Sequence, residues 1–145
     1  MIGTAYLDAS GAMRRLLATR AGHQTARRVW DEADDVVSAT LTYPEVCAAL
    51  AAARRSRALS ETGLQRALTA WDELWAQLVP VVLDEPLARA AGELARVHAL
   101  RGADAVHLAA ARATGCDLML SADMALCAAA DRCGMAIVEL NEAAG

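Results

Sequence analysis

Four acidic residues stand at the ends of apolar runs or the starts of helix-forming segments, in a chain of 145 residues. Asp8 closes the run in Tyr6-Leu7-Asp8-Ala9-Ser10, and Glu45 follows Thr42-Tyr43-Pro44. Asp104 opens the otherwise apolar stretch Asp104-Ala105-Val106-His107-Leu108-Ala109, and Asp123 follows Leu120-Ser121-Ala122. Each alone has a structural explanation, because aspartate is a preferred helix N-cap and a first-turn glutamate complements the helix dipole. Together they imply more. In an open parallel sheet, ligands bind beyond the carboxyl ends of the strands. Four carboxylates gathered at that edge repel one another by about 1 to 4 kcal/mol per close pair, depending on the effective dielectric. Arginine, a raised pKa or a divalent cation could offset this repulsion. Oxygen-only ligands suit the hard ions Mg²⁺ and Mn²⁺.

Composition removes several alternatives. All 14 basic residues are arginine, which excludes Schiff-base chemistry, the phosphate-gripping lysine of a P-loop and the nucleotide-binding lysine of a kinase. Phenylalanine is absent, and three Trp with two Tyr offer few platforms for a protein that binds single strands by stacking. Cys47, Cys116, Cys127 and Cys133 form no CxxC pair and no zinc-type spacing, so they are expected to be reduced and partly buried. A net charge of −4 argues against coating of polyanions while permitting a local grip. The hydrophobic share of 56% includes 36 alanines, and the remainder is ordinary for a globular protein. The apolar runs fall short of the roughly 20 residues that span a bilayer. The first residues lack a signal-peptide pattern, so a cytoplasmic location without membrane association is expected.

The elements that must position the acids follow from periodicity. Short apolar runs at 2–7, 36–39, 79–83, 117–120 and 135–138 read as strands covered on both faces, the mark of a parallel sheet. Helical segments at 10–20, 25–33, 43–57, 61–77, 85–100, 103–114 and 124–132 lie between them. This alternation predicts an α/β sandwich with right-handed crossovers. No linker or repeat divides it, so 1–145 reads as a single domain. Leu64, Leu68, Trp71 and Trp75 form a helical stripe that reads as core-facing, with a subunit or partner interface as the alternative.

The segments around Asp8, Glu45, Asp104 and Asp123, above all Arg101-Gly102-Ala103-Asp104-Ala105-Val106-His107-Leu108-Ala109-Ala110-Ala111, resemble the PIN domain, and within it the VapC toxins of bacterial toxin–antitoxin pairs. The resemblance covers nearly the whole chain. It implies a three-layer α/β/α sandwich around a five-stranded parallel sheet and Mg²⁺-dependent endoribonuclease activity, with Mn²⁺ as a substitute. It also implies an RNA substrate, a VapB-type antitoxin partner and a homodimer. The family's acidic positions map onto Asp8, Glu45, Asp104 and Asp123 as catalytic and metal-binding residues, with hydroxyl positions at Ser10 and Ser121.

The chemistry suits those residues. Asp8 and Asp104 would hold an ion that activates water toward a phosphodiester. Glu45 and Asp123 would complete or orient the shell. Ser10 and Ser121 are candidates for bonding a metal-bound water or the scissile phosphate. His107, among apolar neighbours, is expected to be a neutral core histidine. Arg14, Arg15, Arg20, Arg27 and Arg28, and separately Arg54, Arg55 and Arg57, read either as solvated faces or as a phosphate-steering rim. Haloacid-dehalogenase-type phosphatases and response-regulator receivers also place an Asp after the first strand, but both need a lysine. The remaining alternative is a non-catalytic PIN-like binding module acting through a protein partner.

Overall fold

The computed structural model describes residues 2–140. The elements run β1 (Thr4–Leu7), α1 (Ala9–Leu16), α2 (His23–Glu32), β2 (Asp35–Ala39), α3 (Thr42–Arg55), α4 (Glu61–Trp75), β3 (Val79–Val81), α5 (Glu85–His98), α6 (Gly102–Ala113), β4 (Leu118–Ser121), α7 (Met124–Arg132) and β5 (Ala136–Glu139). The five strands form one sheet in the order β3-β2-β1-β4-β5, and every pairing is parallel. No helix among the described residues is long and apolar enough to cross a membrane.

Period-two alternation along the strands divides the core into two layers. Tyr6, Val37 and Met119 face one side and pack with Leu87, Leu94, Leu108 and Leu126 from α5, α6 and α7. Ala5, Leu7, Val36, Leu118 and Leu120 face the other, against Met13, Val29, Val46, Leu50 and Trp71 from α1 to α4. The result is the expected three-layer sandwich. Trp71 is fully buried and Leu64, Leu68 and Trp75 pack around the same core, so the α4 stripe is core-facing.

Two details set the site's position. The chain builds outward from β1 through β2 to β3, then returns to the other side of β1 with β4 and β5. The strand order therefore reverses between β1 and β4, and the crevice beyond their carboxyl ends is the topological switch point. Second, α1 crosses the end of β4 at very short range. A Cβ built on Gly11 would lie 2.4 Å from the Leu120 carbonyl oxygen, so only glycine allows this approach.

The sequence placed every element but set some ends too long. β3 stops at Val81 rather than 83 because it is an edge strand, paired only with β2, and carries Pro80, which suits an edge. Helix α1 stops at Leu16, where the Leu17 backbone turns extended (φ −108°, ψ 108°), instead of continuing to 20.

Candidate active site

Asp8 leaves β1 and caps α1. Its Oδ1 accepts the Gly11 N–H at 2.9 Å and the Ser10 hydroxyl at 2.6 Å, while Oδ2 accepts the Ser121 hydroxyl at 2.7 Å. Three donors fix a carboxylate that is only 5% exposed, satisfying a buried polar group that would otherwise carry a desolvation cost. The two serines knit β1 to β4. Ser10 Oγ accepts the Ala122 N–H and Ser121 Oγ accepts the Asp123 N–H, each at 2.9 Å. Asp123 in turn caps α7, its Oδ1 accepting the Leu126 N–H at 2.9 Å. Asp8 and Asp123, two of the acids expected at the site, are therefore both helix caps.

Asp104 differs. The α6 cap residue is Arg101, and Asp104 stands in the first turn, where it complements the dipole without capping. The described residues direct no hydrogen bond at its carboxyl. Burial raises its pKa above the ordinary aspartate range, and Asp123 adds to the rise; His107 pulls it down, followed by a smaller push up from Asp8 and a smaller pull down from Arg101. The three aspartates thus lie within electrostatic reach of one another at the switch point.

Glu45, in the first turn of α3, reaches this group through an intermediary. Its Oε1 accepts from His107 Nε2 at 2.7 Å. His107 is buried, as expected from its apolar neighbours, yet it is a bonded part of the site rather than inert packing. Tyr6, whose hydroxyl stands 2.6 Å from His107 Nδ1, is a component that sequence reasoning missed. Its only local signal is a polar tip two residues before Asp8.

Among the described residues, no arginine forms an ion pair with Asp8, Asp104 or Asp123; the arginine pairs are Arg28–Glu32, Arg54–Glu61 and Arg89–Glu85. Arg101 acts electrostatically on Asp104, and Asp8 acts electrostatically on the Arg14 guanidinium. Burial and Arg20 nevertheless hold the Arg14 pKa below the ordinary value, and its buried Nε has no hydrogen-bond partner. Of the three ways to relieve crowding, a raised pKa operates at Asp104 and arginine pairing does not operate.

The donor set therefore fits a hard cation. Among the described residues, no group of three or more His, Cys, Asp or Glu side chains is placed to hold a metal ion by itself. Mg²⁺ does not need one, because it keeps several waters and is commonly held by one or two carboxylates plus substrate phosphate oxygens. The four cysteines are free. Cys127 lies beside the site, its Sγ donating to the Ser121 carbonyl at 3.6 Å. Burial, with Asp8 adding to it, pushes this thiol to about 11.

The PIN domain family model matches residues 5–132. Ribonuclease VapC45 of Mycobacterium tuberculosis is 51% identical over 110 residues, covering 76% of each chain. Among solved structures, VapC20 of M. tuberculosis, described as a sarcin-ricin loop cleaving toxin, superposes with a TM-score of 0.70 at 22% identity, covering 95% of this chain and 99% of that one. VapBC2 of Rickettsia felis, bound to a DNA fragment from its promoter, gives a TM-score of 0.62 at 10% identity over 94% and 98% of the two chains. The chain belongs to the PIN domain family, in its VapC group.

Proposed function

We propose that this protein is the ribonuclease toxin of a toxin–antitoxin pair, an endoribonuclease that hydrolyses RNA phosphodiester bonds with Mg²⁺, or Mn²⁺ in its place. One observation carries the reading. Asp123 and Asp8 both act electrostatically on Asp104 near the switch point and raise its pKa, and among the described residues none of the three is in an ion pair with arginine. Identity of 51% to a ribonuclease supports the same chemistry.

Asp8 and Asp104 are the residues to hold the ion, with Glu45 and Asp123 completing its surroundings. When bound, the ion supplies an electrophile for the phosphate and lowers the pKa of attacking water. The chain does the rest. Three donors hold Asp8 in one orientation, and the cap on α7 does the same for Asp123. Ser10 and Ser121 keep the ends of β1 and β4 together, and their hydroxyls stand next to the carboxylates where a phosphate oxygen or water would need a donor. Arg20, Arg27 and Arg28, exposed on the segment that follows Asp8, are the side chains proposed to meet the RNA backbone.

An antitoxin of the VapB type and a second copy of this chain are the proposed partners, the first supported by likeness to a toxin–antitoxin complex. The test is cleavage of oligoribonucleotides by metal-stripped protein. Activity should return with Mg²⁺ or Mn²⁺ and vanish with EDTA. Robust cleavage in EDTA would refute the metal mechanism.

A further inference from the structure

One polar chain at the sheet edge runs inward from the carboxylates instead of across them. His107 projects from α6 into the core at 2% exposure, and both ring nitrogens have partners there, Glu45 Oε1 at 2.7 Å and the Tyr6 hydroxyl at 2.6 Å. The Glu45 carboxylate only accepts, so Nε2 carries a proton toward it. In a neutral imidazole Nδ1 then accepts the Tyr6 hydroxyl, whose oxygen also accepts the Ala39 N–H at 3.1 Å. Packing alone does not ask for this arrangement, since an aliphatic side chain would fill the space without two buried nitrogens to satisfy. The chain joins β1, α6 and α3, and it ties Glu45 to the core while the serine network holds Asp8 and Asp123.

We propose that His107 is a positioning residue of the cleavage site: held on its other nitrogen by Tyr6, it fixes Glu45 through Oε1 and leaves Oε2 as the oxygen available to a cation. This rests on the reading of the site as a Mg²⁺-dependent nuclease. Outer partners of metal ligands typically change affinity or activity by about 10- to 100-fold when removed.

The test combines binding without RNA and spectroscopy. In the wild-type protein, long-range ¹H–¹⁵N NMR should show the His107 proton on Nε2, and Mg²⁺ should shift that signal; the shift should be lost in Glu45→Gln. Mn²⁺ affinity, measured by electron paramagnetic resonance, should fall about 10- to 100-fold in His107→Leu. Most of it should return in His107→Gln, whose amide still offers a donor. Wild-type affinity in a folded His107→Leu would overturn the inference. So would a His107 signal that ignores saturating Mg²⁺, an outcome readable even if the variant does not fold. If the wild type cleaves RNA with Mg²⁺ while either contrary result holds, only the positioning role fails. If the wild type neither binds Mn²⁺ nor cleaves, the nuclease reading fails and takes this inference with it.

Discussion

Because burial and Asp123 raise the Asp104 pKa above that of an unfolded aspartate, the folded state holds its proton more tightly than the unfolded state. The stability this group contributes is therefore present below its unfolded pKa and lost as pH rises through its folded pKa. In EDTA at pH 7, Asp104→Asn should melt at or above the wild-type temperature, and the difference should close as the pH is lowered through the Asp104 titration. Mg²⁺ should raise the wild-type melting temperature more than that of the variant, since only a state that binds ligand gains from it. A clearly lower variant melting temperature in EDTA would mean that Asp104 supports the fold. Cys127 belongs to the same scale. A thiol pushed to about 11 supplies almost no thiolate at neutral pH, so Cys127→Ala should keep cleavage within a few-fold of the parent in a gel assay of RNA cutting. A large loss in a folded variant would give the thiol a role. At this scale the sequence revealed the acids, because Asp8 and Asp123 follow apolar runs while Glu45 and Asp104 open helical segments. It did not reveal that Arg101, not the acid, caps α6, nor what His107 touches. The partners of His107 are 62 and 101 residues away, and no local pattern reports a contact at that distance.

Helix α1 shows how an element carries the site. Ser10 and Asp8 meet Ser121 only because Gly11 lets the helix close on β4. Gly11→Ala should cost about 1 to 3 kcal/mol, the usual range for overpacking, and should lower cleavage by parting the two strand ends. Denaturant melts and cleavage rates together check this, and unchanged values for both would contradict the close approach. Helix α4 supports α3, which carries Glu45. Trp71 stacks on Tyr43 at 6.0 Å, meets Trp75 edge-on at 5.5 Å and donates Nε1–H to the Tyr43 carbonyl at 3.3 Å. Trp71→Ala should cost about 3 to 5 kcal/mol in chemical denaturation; a loss below 1 kcal/mol would place this helix outside the cooperative core. The type and order of the elements were legible because uniformly apolar strands alternate with amphipathic helices. Ends were less so. Where β3 stops depends on its having one neighbour, and where α1 stops depends on a backbone turn at Leu17; both are set by tertiary context.

For the whole molecule, the order β3-β2-β1-β4-β5 converts acids distant in sequence into one centre. Layering was readable from periodicity, while the strand order was not, because alternation alone does not say on which side of β1 the fourth strand returns. The account's central claim is that this centre cleaves RNA rather than serving a binding module. Asp104→Asn tests it most directly, because Asp104 caps nothing and accepts no hydrogen bond from the described residues, so its loss subtracts charge with little structural consequence. The decisive measurement is RNA cleavage by the purified variant with Mg²⁺, read beside growth when each protein is expressed without an antitoxin. The account predicts a folded variant whose cleavage falls at least 10- to 100-fold, about the loss seen for outer-shell metal partners, and which no longer arrests growth. A variant that arrests growth as strongly as the parent while cutting no RNA would place the activity in binding and contradict the nuclease reading.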